Sequence, residues 1–381
     1  MTLLEIFTIF LSIHWLLISV YTLLGWTAFL LYKVKQEGKR ATHVELIIVS
    51  KASQSVKHSL FDCIKYHLME FGCNSTINII IDEGCDLEAA IKRLVKTKMA
   101  CRLIIVPKTF RCKAIAKGRA IEYFIRHYVD KKKWYAFIDD DNKVMSDDFL
   151  YEIPHYERKG YVCANGILKP RMGRSKITFI ADHLRWFDDL SLFRFGTGLL
   201  GFAINGIHGE LLLCKGHILK EVSFNRYTIT EDFAFARELV KKGYKFWQSK
   251  TVISILSPHS FMDFIKQRNR WYKGLEKDVI TSEWKTLSFA GIRIVTWKLS
   301  IFGSWLLFPL WFFVELPILV KFFCIFGALH YYTAYIIGII NLKEKWIHKW
   351  FFFLLIPWYS ILEAIPPHYK AKQKGFIVIE K

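Results

Sequence analysis

The chain has 381 residues, 52% of them hydrophobic and 16% aromatic, and a formal net charge of +20. That composition gives room for a sizeable core plus apolar spans and excludes a disordered or fibrous protein. The positive balance comes without a recognisable nucleic-acid module, so it reads as basic loops beside an anionic membrane face, with no nucleic acid expected.

Residues 1–32 form the first segment. From Leu3 to Tyr32 the chain is almost wholly apolar, and Lys33, Lys35, Lys39 and Arg40 follow. This is long enough to cross a bilayer with some tilt. A cleaved leader would carry its charge before the apolar run, so a retained span is expected, with the N-terminus outside and everything from Lys33 onward in the cytosol. Eight cysteines, at 63, 73, 85, 101, 112, 163, 214 and 324, include no C-x-x-C pair, which fits a reducing compartment and neither a zinc site nor a disulfide framework.

Residues 33–286 read as one soluble α/β domain. Short apolar runs at 44–49, 77–81, 103–106 and 135–138 alternate with helical patterns at 56–71, 87–98 and 114–129. Apolar runs of this length suit parallel strands buried on both faces, and the intervening helices suit right-handed crossovers. The expected architecture is the nucleotide-binding half of a doubly wound sheet, in which ligands gather at the carboxyl ends of the strands. Ser50, Lys51, Asp82 and Asp139-Asp140-Asp141 fall at those ends. Within this domain, residues 260–280 read as an amphipathic interface helix with Phe261, Phe264, Ile265, Tyr272 and Leu275 on one side and Asp263, Gln267, Arg270 and Gly274 on another.

Residues 287–369 turn apolar again, with candidate membrane segments at 299–320, 322–340 and 350–365, two to four in all. Lys343, Lys345 and Lys349 and the tail 370–381 both read as cytosolic, yet one complete span between them would put them on opposite sides. A re-entrant hairpin at Pro357 resolves this; two membrane elements within 287–320, divided by Pro309 and Pro317, would also do so.

Four polar motifs carry the chemistry. Alternate carboxylates in Asp139-Asp140-Asp141 can reach one hard cation, Mg²⁺ or Mn²⁺, that bridges diphosphate oxygens; the same acids also suit a solvated turn before the next helix. Thr230-Glu231-Asp232 opens a helix running to Gly243, either simply as its capped first turn or with one carboxylate as a general base. In Gly206-Ile207-His208-Gly209 the glycines permit close approach to a ligand and His208 can hydrogen-bond it, although a lone histidine is more often structural. Gln267, Arg270 and Trp271 can contact diphosphate and an acceptor sugar, Arg by charge and Trp by stacking, or can belong to a basic interfacial helix with no site role.

Taken together and in order, these motifs resemble the family 2 inverting glycosyltransferases with a GT-A fold, and within them the egghead type of β-1,4-mannosyltransferase. Lys117-Gly118-Arg119-Ala120-Ile121-Glu122-Tyr123 after Ile104-Ile105-Val106-Pro107, and the closing Gly375-Phe376-Ile377-Val378-Ile379, add to the likeness. Where that type carries a D-E-E-T run, this chain has Asp139-Asp140-Asp141-Asn142. The resemblance implies a Rossmann-like GT-A domain flanked by transmembrane helices, with Asp82 on the nucleotide base and Lys117 on the phosphates. It implies Asp139 and Asp141 at the metal, Asp141 as the more direct ligand, and Asp232 as catalytic base. Ser50, Lys51, His208 and Glu231 would line the donor site, and Gln267, Arg270 and Trp271 would hold diphosphate and acceptor. The implied reaction moves a sugar from GDP-mannose or a UDP-sugar, in β linkage, to a lipid-linked acceptor. A small processive polysaccharide synthase and a non-catalytic membrane adaptor are the alternatives.

Overall fold

The computed structural model describes residues 2–313 and 315–370, so the motif at 375–379 lies outside the described residues. The chain divides into two compact units.

Residues 33–169 and 196–256 form the sheet unit. Strands β1 (Val44–Val49), β2 (Ile77–Asp82), β3 (Cys101–Val106) and β4 (Trp134–Asp139) run parallel. Strands β5 (Lys143–Val144), β6 (Tyr161–Arg171), β7 (Leu212–Lys215) and β8 (Lys245–Leu256) follow. The order across the sheet is β3-β2-β1-β4-β7-β6-β8-β5, with β7 antiparallel to both β4 and β6. All six residues of β1 are buried, as continuous β-branched runs require when helices cover both faces. Leu46, Ile48, Ile79, Ile81, Ala136 and Ile138 join one core with Leu60, Ile64 and Phe71 of the helix Lys57–Phe71. Each such aliphatic side chain, fully buried, contributes about 1.5–3 kcal/mol of transfer free energy. Register pairs Val49 with Asp139 and Val49 with Ile80, so the strands end at one level and the loops beyond them share one edge.

The described parts of 1–32, 170–195 and 257–379 form the helical unit. Residues 170–195 and 257–286, expected in one domain with 33–169, group with the helical unit. The reason is the apolar face of the helix Lys176–Asp188. Its Phe179, Ile180, Leu184 and Phe187 bury against Ala334, Tyr335 and Ile339 of the helix Ile318–Ile340 and against Phe264.

Among the described residues, two helices are long and apolar enough to cross a membrane, Glu5–Leu31 and Ile318–Ile340. Both leave large apolar side chains outward, among them Ile9, Ile13, Leu23, Phe322 and Ile325, a surface that apolar solvent suits and water does not. A shorter pair, Trp346–Leu354 and Ile356–His368, bends by 51° at a break just before Pro357.

The amphipathic segment 260–280 is the helix Phe261–Val279, started by Ser260, whose hydroxyl accepts the Asp263 N–H at 3.1 Å. Its polar side is not left open. Gln267, Arg268 and Asn269 are as buried as Phe264 and Tyr272, because partners inside the helical unit satisfy them.

Candidate active site

Four described non-glycine residues hold positive φ, and three of them flank the strand-end loops. Ala52 (50°) follows Ser50-Lys51, Ala116 (46°) precedes Lys117, and Leu211 (45°) follows Glu210. Left-handed backbone costs a β-carbon residue about 1–3 kcal/mol and persists where surrounding structure imposes it, commonly at functional sites.

Around these loops the sheet unit gathers most of its expected site residues. Asp139 ends β4, and the chain turns so that the Asn142 N–H donates to the Asp139 carbonyl at 3.2 Å. His67 braces the turn from below. Its Nε2 accepts the Val144 N–H at 3.2 Å while Nδ1 meets the Cys63 carbonyl at 2.8 Å. Burial, helped by nearby Lys143 and opposed by the Cys63 hydrogen bond, lowers its pKa to about 4, so the ring is neutral and can accept. The Ser50 hydroxyl donates to Asp140 Oδ2 at 2.5 Å and accepts the Ala52 N–H at 2.9 Å, while Lys51 beside it is exposed. Asp82, at the end of β2, is paired with Arg119 at 2.6 Å, and Arg119 is also held by the Pro107 carbonyl at 2.6 Å.

The Lys117 ammonium is seated on Asp139 Oδ1. Burial alone would depress its pKa, but Asp139, then Glu231 and Glu210, outweigh burial and hold it above the ordinary lysine value. Gly209 makes the seat possible: a Cβ there would stand 2.7 Å from the Lys117 Nζ. The loop carrying Gly209 is pinned by Asn165 of β6. Its side chain accepts the His208 N–H at 3.1 Å and donates to the His208 carbonyl at 2.9 Å, replacing the ladder bonds a neighbouring strand would supply. His208 Nδ1 lies 3.1 Å from the Glu210 carbonyl and 3.7 Å from Glu210 Oε2.

Thr230 takes the N-cap position of the helix Glu231–Lys241, but its side chain makes no capping bond. Asp232, half-buried in the first turn, accepts the Phe233 N–H at 2.8 Å. Burial first, then the charges of Glu231 and Glu210, push its pKa up to about 7; the Phe233 N–H and Lys117 pull the other way. A carboxyl poised near neutrality takes up a proton far more readily than an ordinary aspartate.

Gln267, Arg270 and Trp271 belong to the helical unit. Arg268 there donates to Asp182 at 2.6 Å, to Gln267 Oε1 at 3.0 Å and to Glu363 at 3.5 Å. The guanidinium carbons of Arg268 and Arg185 lie 4.4 and 4.6 Å from the centre of the Trp271 ring. The ring that was expected to stack on an acceptor sugar is therefore stacked by arginines. Arg270 is partly exposed on the same helix.

Asn165, Glu210 and His67 support these loops and were passed over by the motif reading. Glu210 directly follows the quoted His208 motif; Asn165 and His67 carry no local signal, because β6 and the helix Lys57–Phe71 bring them there.

Asp139 and Asp141 stand two residues apart on this turn, with Asp141 5% exposed and the fully buried Asn142 side-chain amide making no hydrogen bond. Hard oxygen donors of this kind fit Mg²⁺ or Mn²⁺. Among the described residues no group of three or more His, Cys, Asp or Glu side chains is arranged to hold a metal.

A doubly wound sheet with a lysine and acids gathered at its strand ends defines a GT-A type sugar-transfer domain. Residues 134–362 match the profile of glycosyl transferase family group 2, and the chain belongs to that family. It is 24% identical over 294 residues to the β-1,4-mannosyltransferase egh of Drosophila melanogaster, covering 70% of this chain and 62% of that protein. It is 25% identical over 192 residues to the β-1,4-mannosyltransferase bre-3 of Caenorhabditis briggsae, covering 48% and 42%. The chain thus spans less than two thirds of either relative. The structure of the mannosyltransferase PcManGT from Pyrobaculum calidifontis, in complex with GDP-Man and Mn²⁺, shares the fold, with a TM-score of 0.58 and 15% identity over 96% of this chain and 99% of that one.

Proposed function

We propose that this glycosyltransferase moves mannose from GDP-mannose, in β linkage, to a lipid-linked acceptor at a membrane, with the sheet unit in the cytosol. The observation that carries the reading is Asp232, a carboxyl raised to about 7 by burial and two neighbouring acids at the strand-end edge. Asp232 takes the proton of the acceptor hydroxyl as that oxygen bonds the anomeric carbon. The bond from that carbon to the nucleoside diphosphate breaks on the opposite face, so an α-linked donor gives a β-glycoside in one displacement and the carboxyl ends protonated. Lys117 neutralises the departing diphosphate. Ser50, Lys51, Asp82, His208 and Glu231 position the donor. Asp139 and Asp141 would hold Mg²⁺ or Mn²⁺, which when bound supplies charge neutralisation on the diphosphate. The apolar helices Glu5–Leu31 and Ile318–Ile340 support the membrane reading.

A second reading, polymer synthesis from a UDP-sugar, is favoured by 25% identity over 312 residues to the poly-β-1,6-N-acetyl-D-glucosamine synthase of Staphylococcus epidermidis, covering 76% of this chain and 71% of that one. The test is nucleoside diphosphate release by detergent-solubilised protein with Mn²⁺ or Mg²⁺, across GDP- and UDP-sugars, with and without lipid extract. Lipid-stimulated turnover of GDP-mannose into discrete lipid products is expected. UDP-sugar turnover into long polymer would replace the first reading with the second.

A further inference from the structure

The ammonium on Asp139 raises a question that the donor site, as proposed above, leaves open. Asp139 is asked to share a divalent cation, yet one of its oxygens already carries Lys117. A dication and an ammonium on one carboxylate repel each other, and the repulsion is strong where side chains are mostly shielded from water. Glu231 and Glu210 add to the field that holds Lys117, and the absence of a side chain at Gly209 gives Nζ the space it fills. The charges of Asp139, Glu231, Glu210 and Asp232 all act on this lysine, so in the unliganded protein the ammonium offsets part of that negative charge.

We propose that Lys117 acts as a resident counter-cation on Asp139, competing with the divalent cation until a nucleoside diphosphate arrives. The diphosphate offers the ammonium a richer anionic partner, so Lys117 leaves Asp139 for the phosphates and the cation takes its place on the carboxylate. Cation and nucleotide then bind cooperatively, and the cation alone binds weakly. This rests on the donor-site reading, and it assigns Lys117 opposite effects on two ligands. It favours the nucleotide and opposes the bare cation.

The experiment is Mn²⁺ binding to the full detergent-solubilised chain, followed by electron paramagnetic resonance in the absence of nucleotide, for wild type, Lys117→Gln, Asp139→Asn and the double variant. Affinity for GDP and UDP at saturating Mn²⁺ is measured on the same samples by calorimetry. Lys117→Gln is expected to bind Mn²⁺ about tenfold more tightly than wild type, the gain vanishing when Asp139→Asn is added, while its nucleotide affinity falls about tenfold. Mn²⁺ affinity in Lys117→Gln that is equal to or weaker than wild type overturns the proposal, as does a gain that survives Asp139→Asn. Failure of the donor-site reading would look different: wild type would bind neither GDP nor UDP with Mn²⁺ present, whatever Lys117→Gln did to the bare cation.

Discussion

Glu231→Gln isolates the electrostatics that tune the proposed base. In the free protein the Asp232 carboxyl sits at about 7, against 3.8 for an ordinary aspartate, with burial the largest cause and Glu231 the next. The substitution leaves burial almost unchanged and removes one negative charge from the same first helical turn. Removing such a charge lowers a neighbouring carboxyl by on the order of one unit, about 1.4 kcal/mol of differential interaction. The sign follows from which form works: the base must be ionised, so kcat/KM rises with pH through the Asp232 pKa and levels off above it. The pH dependence of kcat/KM reports free-enzyme groups, so wild type should climb to a plateau with a midpoint near 7 and Glu231→Gln with a midpoint near 6. At pH 5.5 the ionised fraction would rise from roughly 3% to roughly 24%, about eightfold. The assay is nucleoside diphosphate release under kcat/KM conditions from pH 5 to 8.5, each profile scaled to its own plateau so that any loss of donor contact at Glu231 cancels. A midpoint that stays put or moves upward would refute the assignment of Asp232 as a base tuned by its neighbour.

Asp232→Asn should lower transfer by about 10²–10⁴-fold while donor binding, read by calorimetry, is preserved; unchanged turnover would remove Asp232 from the chemistry. Gly209→Ala places a methyl 2.7 Å from the Lys117 Nζ, the far end of a flexible side chain that can swing away. It should weaken nucleotide binding about tenfold while unfolding free energy stays within about 0.5 kcal/mol, and undisturbed nucleotide affinity would show that the ammonium does not need its seat. Arg268→Ala strips the guanidinium from buried Asp182 and Glu363 and should cost about 3–5 kcal/mol, seen as a lowered melting temperature in detergent, with Arg268→Lys falling between. Equal melting of Arg268→Ala and wild type would mean that those acids find other compensation.

The parallel half of the sheet was legible because its signal is local. Runs such as Val44–Val49 and Ile77–Asp82 are mostly apolar, interrupted only by Glu45, Asn78 and the closing Asp82, and that suffices to mark a buried parallel strand. β6 and β8 carried no such mark. Tyr161–Arg171 contains Asn165, Gly166 and Pro170, all turn signals in isolation, and Lys245–Leu256 mixes Gln248, Ser249, Lys250 and Thr251 into its run. Asn165 and Gln248 are buried because they do structural work at a distance: Asn165 holds His208, and Gln248 donates to the Gly166 carbonyl at 2.7 Å. The site followed the same division. Asp139, Lys117 and Asp232 sit in contiguous motifs and were readable, whereas Arg185 reaches Trp271 only through helix packing inside the helical unit. The packing of Lys176–Asp188 within the helical unit was not legible for a related reason, since its apolar face looks alike whether a sheet or a helix will cover it.

That helix also sets a schedule. Ribosomes add about 5–20 residues per second, and Ile318, where the covering helix begins, is made 130 residues after Asp188. For roughly 6 to 26 seconds, therefore, Phe179, Ile180, Leu184 and Phe187 wait without the surface that will bury them. The sheet unit, whose last strand ends at Leu256, is complete in sequence well before that wait is over. Nascent chains arrested between 256 and 318 should accordingly protect the sheet from protease while the 176–188 segment remains cleavable or bound by a chaperone.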